Sequence, residues 1–297
     1  MPTKGIPHER EEPSLLSGRL FVWGVCARTL TVQEDEMIID ERIVTEAIAG
    51  SYFEKFTSCL DLDVAIVGGG PSGLTAAWKL AEAGRKVALF ERKLSVGGGM
   101  WGGGMTWTSI VVQEEAKGIL EDAGVAVREY KPGYFTADSV AATAALAYQA
   151  TKAGAHVFNC MSVEDVVLRE VDGVKRVMGL VVNSSPVEIA RLHVDPLVLH
   201  CKHAIECTGH DVEMLKTLVR KNGVKLNTPS GGIEGEQSMW ADVAEANTVR
   251  HTREVFPGVW VAGMAANAAY GSYRMGPIFG GMLLSGVKVA EAIDALL

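Results

Sequence analysis

His193, Asp195, His210 and Arg274 are the side chains of this chain whose types and spacing could do chemistry. Proline at 196 biases Asp195 toward extended backbone, and in an extended segment residues two apart share a face, so His193 and Asp195 are expected side by side. Imidazole and carboxylate together suit a divalent transition metal such as iron(II), with positions left open for substrate atoms. His210 follows a short expected strand, Ala204 to Glu206, and strand carboxyl ends are where open parallel sheets present functional groups. A lone histidine there also suits a structural hydrogen bond, so the residue alone leaves both roles open. Arg274 precedes Met275-Gly276-Pro277 in an apolar loop that has little structural use for a guanidinium. Its planar fork matches a carboxylate bidentately; a surface salt bridge is the alternative.

These side chains need a frame, and Asp63 to Arg92 supplies it in one pass of strand, turn, helix and strand. Val64 to Val67 is a short β-branched run suited to a strand buried on both faces. Gly68, Gly70 and Gly73 fit G-x-G-x-x-G: one glycine for the turn, one for approach of a pyrophosphate, one for close helix packing. Free N–H groups at the helix start face the phosphates. Val87 to Phe90 is the second strand, and Glu91 stands where an acid binds a ribose hydroxyl pair, so a dinucleotide site is expected. Ser95 to Gln113 follows, with glycine triplets around Met100 and Trp101, too flexible for a helix or strand interior and too apolar for a linker. It reads as backbone closely approached by a ligand, or else as a plain hinge.

Helices are expected over Glu41 to about Phe56 (with Ile43, Val44, Ala47 and Phe53 packed), Glu114 to Ala123, Asp138 to Ala153 and Phe279 to Leu297. The N-terminus of the last could favour an anionic ligand. Strands are expected at Val125 to Tyr130, Val157 to Cys160, and a hairpin of Val163 to Leu168 and Lys175 to Val182. The class is therefore α/β: a Rossmann-type parallel sheet, of the glutathione-reductase-like kind, with a small antiparallel β insertion. Residues 1–36 are expected to form an N-terminal extension, either a flexible arm or an interface strand around Leu20 to Val25, and residues 37–297 a single domain. A net charge of −8 gives no reason to expect nucleic acid or an anionic membrane. Five scattered cysteines without C-x-x-C indicate neither a disulfide framework nor a zinc site, which suits a reducing cytoplasm. No secretory signal opens the chain, and the uncharged stretch from Phe256 to Tyr273 is broken by proline and glycines and reads as buried strand and loop.

Together GGGPSG, ER, GGGMWGGGM, HVDP, TGHD and RMGPIFGGM closely resemble the thiamine thiazole synthase family, over roughly Ile39 to Leu297. The resemblance implies an enzyme that builds an adenylated thiazole from NAD, glycine and a sulfur source, consuming NAD as substrate and releasing nicotinamide. Eukaryotic members sacrifice a cysteine sulfur in a C-M-D-P-like segment; here His193 holds that position and cannot donate sulfur, which implies the version that takes free sulfide. The family pattern assigns Asp195 and His210 as iron(II) ligands from adjacent subunits of a homo-octamer, and Arg274 to the glycine carboxylate. It implies that His193 contacts NAD-derived atoms or shapes the sulfide pocket. It assigns NAD contacts to Gly68, Gly70, Ser72, Gly73, Glu91, Arg92, Gly99, Val163, His193, Asp195 and Met264. Met264 stands where related flavoproteins carry an A-x-G-D acid, which weighs against a flavin-dependent oxidoreductase; a non-catalytic nucleotide-binding relative would leave Asp195, His210 and Arg274 without roles.

Overall fold

The computed structural model describes residues 39–297; of these, residues 39–45 fall in one compact unit and residues 46–297 form another. The expected extension and its strand at Leu20 to Val25 lie outside the described residues. In the first unit, Asp40 starts the helix α1 (Glu41–Ser58): its carboxylate accepts the Arg42 backbone N–H at 2.9 Å. The second unit runs through β1 (Asp61–Val67), α2 (Pro71–Glu82), β2 (Val87–Glu91), a 3₁₀ turn over Gly98–Gly102, β3 (Ser109–Val112), α3 (Glu114–Asp122), β4 (Val127–Lys131), β5 (Tyr134–Asp138) and α4 (Ser139–Lys152). It continues with β6 (His156–Asn159), β7 (Met161–Val171), β8 (Val174–Ser184), α5 (Ser185–Ile189), β9 (Leu197–Glu206), a 3₁₀ turn over Gly209–Asp211 and α6 (Glu213–Asn222). β10 (Gln237–Met239), α7 (Ala241–His251), β11 (Arg253–Phe256), β12 (Val259–Val261), α8 (Met264–Tyr270), β13 (Tyr273–Arg274) and α9 (Gly280–Asp294) complete it.

The main sheet has the order β11-β12-β9-β1-β2-β6, parallel except for β11 against β12. The β7–β8 hairpin, turned by Asp172 and Gly173 at positive φ, joins antiparallel to the first half of β9. The fold is thus the expected α/β class with a Rossmann-like parallel sheet and an antiparallel insertion. Period-2 geometry explains the continuous apolar strands. In β1, Val64 and Ile66 enter one core with α2 and α9, whereas Ala65 and Val67 enter the other with α6; Leu89 and Phe90 of β2 divide likewise.

The fingerprint turn is built for contact. Gly68 has φ +99°, which L side chains rarely adopt, and a Cβ on Gly73 would lie 2.2 Å from the Gly68 carbonyl oxygen. Gly70 differs: its φ is −74°, and a Cβ there would meet no protein atom within 4 Å. Neither backbone nor packing requires that glycine, so the space belongs to the pocket it faces. Gly73→Ala is accordingly expected to destabilise the fold by about 1–3 kcal/mol through overpacking. Gly70→Val should leave the melting temperature near wild type and weaken NAD binding at least about tenfold, as a side chain there takes up ligand space. Thermal melts and NAD titrations check the pair, and equal loss of stability in both would remove the ligand explanation for Gly70.

The structure corrects several expectations. On α1 the packed side is Phe56 with Tyr52, in an aromatic cluster with Phe158; Ile43, Val44, Ala47 and Phe53 are exposed among the described residues. The helix was legible but not its buried face, because apolar residues occur around most of it. The glycine stretch is not wholly irregular: Gly98–Gly102 closes a 3₁₀ turn that buries Met100. Phe256 to Tyr273 is not only strand and loop, since Met264–Tyr270 is the buried helix α8, formed by an alanine-rich run between Gly263 and Gly271. A three-stranded antiparallel sheet, β3-β5-β4, appears where only β4 was expected; Pro132-Gly133 turns β4 into β5. Among the described residues no helix is long and apolar enough to cross a membrane.

Candidate active site

A cavity of about 1200 Å³ opens at the carboxyl ends of β1, β2 and β9. Gly68, Gly70, Ser72, Glu91, Arg92 and Gly99 line it from the nucleotide-binding half. Val163, His210, Met264 and Arg274 line it from elements distant in sequence. Gly73 is not a lining residue; it acts by letting α2 approach the turn. His193 and Asp195 are not in the cavity of their own chain: the segment 191–196 is exposed, whereas His210 lines the cavity. Among the described residues no group of three or more His, Cys, Asp or Glu side chains is arranged to hold a metal ion.

Glu91 ends β2 buried, its Oε2 accepting the Gly69 N–H at 2.8 Å and its Oε1 the Lys93 N–H at 2.8 Å. Each oxygen keeps a lone pair for a diol at the pocket. Arg92 pairs with Glu213 and, at 3.6 Å, with Asp211, so its guanidinium is braced by the loop that carries His210.

That loop is clamped by Glu206, the last residue of β9. Its fully buried carboxylate accepts the Thr208 N–H and hydroxyl at 2.8 and 2.6 Å and the Met214 and Leu215 N–H groups at the start of α6 at 2.8 and 3.1 Å. Burial pushes its pKa up, against the pull of these donors. Between the clamped ends, Val212 is held at φ 42°, a left-handed conformation that costs a β-branched residue of order 1–3 kcal/mol. His210 therefore sits on a taut turn. Its Nδ1 lies 2.7 Å from both carboxylate oxygens of Glu236, and its Nε2 has no hydrogen-bond partner among the described residues.

Arg274 occupies the two-residue strand β13, not a loop, paired in parallel with β10. It belongs to none of the ion pairs among the described residues, so the salt-bridge alternative does not apply there. At the N-terminus of α9, Gly281 N–H donates to Oε2 of buried Glu245 at 2.6 Å, so one of the first-turn donors is satisfied within the chain. The thiols near the site are structural. Burial pushes Cys201 up to about 12 and Cys207 higher still, so neither is a thiolate nucleophile. Sequence reasoning missed Glu206 and Glu236. Glu206 could have been suspected as a lone acid closing an apolar strand; Glu236, in a glycine-rich stretch 26 residues from His210, carries no local signal.

Parallel sheet, glycine turn, terminal acid and carboxyl-end cavity define a Rossmann-like dinucleotide-binding protein. Within that class the chain belongs to the Thi4 family, whose model matches residues 45–279. It is 72% identical over 261 residues to the thiamine thiazole synthase of Solidesulfovibrio magneticus, covering 88% of this chain and 99% of that one. It is 55% identical to that of Methanothermobacter thermautotrophicus over 86% of this chain and 98% of that relative. The crystal structure of Thermovibrio ammonificans THI4 superposes with a TM-score of 0.84 at 54% identity, covering 87% of this chain and 98% of that chain. The protein is thus an enzyme of thiamine thiazole biosynthesis.

Proposed function

We propose that this enzyme converts NAD, glycine and sulfide to an ADP-thiazole carboxylate, releasing nicotinamide, in an iron(II)-dependent reaction. The observation that carries the reading is that the dinucleotide cradle, His210 and Arg274 line one cavity. Gly70 and the start of α2 would hold the pyrophosphate, Glu91 the adenosine ribose, and Val163 and Met264 the walls around the ligand. Arg274, in no ion pair among the described residues, would fix the glycine carboxylate. His193 in place of a cysteine leaves no thiol in the segment 191–196, which supports free sulfide as sulfur source.

The donors fit iron only across two copies of the chain. His210 lines the cavity with Nε2 unbonded among the described residues, whereas Asp195 is exposed outside it, which agrees with sites shared between subunits of a homo-octamer. When bound, iron(II) would supply Lewis acidity toward carbonyl and imine oxygen or nitrogen. The chain itself would contribute orientation: two substrates held in one enclosed cavity gain most from proximity.

An anaerobic incubation of protein, iron(II), NAD, glycine and sulfide, followed by mass spectrometry, should yield an adenylated thiazole and nicotinamide. Intact NAD and no thiazole under fully reduced conditions would refute the proposal.

A further inference from the structure

We propose that Glu236 is the positioning residue that holds His210 in its Nδ1–H tautomer and so keeps the Nε2 lone pair aimed into the cavity; this rests on the reading of His210 as a metal ligand. A neutral imidazole has one donor and one acceptor nitrogen, and the partner of one fixes the role of the other. An ionised carboxylate only accepts, so Nδ1, 2.7 Å from Oε1 and Oε2 of Glu236, must carry the proton. Nε2 is then left as the acceptor, the form a metal requires.

Glu236 is suited to the role by what holds it. Its side chain is 14% exposed, against 49% for His210, so the acid is the fixed member of the pair. The backbone on its N-terminal side is pinned to α8, with Glu234 and Gly235 N–H donating to the Ala269 and Ala268 carbonyls at 3.2 and 3.0 Å. On its other side Gln237 N–H donates to Ser272 at 2.9 Å, and β10 pairs with β13, the strand of Arg274. The β10–β13 pair thus carries Arg274 and, one residue before β10, the acid that orients His210, which sets the two groups in a common frame. No other interaction among the described residues orients the ring, because the Glu206 clamp fixes only the backbone of its turn.

The test uses the full-length protein under anaerobic conditions. Solid-state NMR of ¹⁵N-histidine-labelled, metal-free protein, with His210 assigned by its loss in His210→Ala and the pH raised until the imidazolium signal is gone, should show the neutral ring with Nδ1 protonated and Nε2 bare. An Nε2–H tautomer overturns the proposal whatever the metal does. In cobalt(II) and iron(II) titrations, Glu236→Ala should weaken binding by about 10- to 100-fold, the range for loss of an outer partner of a ligating histidine. Glu236→Gln, whose amide oxygen can still accept from Nδ1–H, should recover part of that loss and controls for a folding defect in the alanine variant. Wild-type affinity in both Glu236 variants, with affinity lost in His210→Ala, overturns the positioning role. If His210→Ala itself binds metal like wild type, His210 is not a ligand; that result removes the underlying reading, while the NMR arm still decides the tautomer.

Discussion

His210→Ala and Asp195→Ala are each expected to lower thiazole formation by about 1000-fold or more, since a Lewis-acidic ion supplies several kcal/mol of transition-state stabilisation. Co-expressing the two inactive chains should restore activity. His210 lines the cavity of its own chain and Asp195 does not, so under the proposed reading a site would take His210 from one copy and Asp195 from another. In randomly mixed assemblies, half the cavities keep His210 and half the neighbours supply Asp195, so roughly a quarter of the wild-type sites re-form if sites are shared across a heterologous or isologous contact. Initial rates on purified mixed assemblies, with tags on both chains to measure composition, give the result. Activity no higher than that of the separate variants would exclude a site shared in this way. Substantial activity in Asp195→Ala alone would remove that carboxylate from the site.

Arg274→Ala is expected to have a comparably large effect, confined to glycine. A hydrogen bond to a charged partner contributes about 1.5–3 kcal/mol, and a guanidinium fork makes two, so kcat/KM for glycine should fall on the order of 100-fold or more. Arg274→Lys keeps the charge without the fork and should fall between the alanine variant and wild type. On the proposed reading NAD affinity should change little, because the α2 turn and Glu91 would hold the ADP half while Arg274 would hold glycine. Stability should also change little, since Arg274 is exposed and in none of the described ion pairs, so no buried partner is stranded. A glycine saturation curve like that of wild type, measured at saturating NAD, would release Arg274 from the substrate role.

The residues that were legible in advance are those whose function is written in their own backbone. Gly68 and Gly73 are required by a positive φ and by a contact with the chain five residues away, and Glu91 by its place at the end of the next strand. The continuous apolar runs of β1 and β2, whose alternate residues enter two cores, and the helices α2, α4 and α9 have the same local origin. The helix α8 was hidden because its seven residues are short and bounded by glycines that signal breaks. The small sheet of β3, β4 and β5 was hidden because two of its three strands lack strong alternation and depend on each other for pairing.

By itself the sequence determined the nucleotide cradle, the α/β class and the residue types available for chemistry, because strand period, glycine conformation and helix propensity act over a few neighbouring residues. Only the tertiary structure decided which of those residues meet. His210 and Glu236 are separated by α6 and the segment that follows it, yet they lie within hydrogen-bond distance; His193 and Asp195, two residues apart in the most suggestive motif, are exposed and do not line their own chain's cavity. Such meetings depend on sheet order and on how α6, α8 and the β10–β13 pair pack, terms summed over the whole core. No window of neighbouring residues contains that sum.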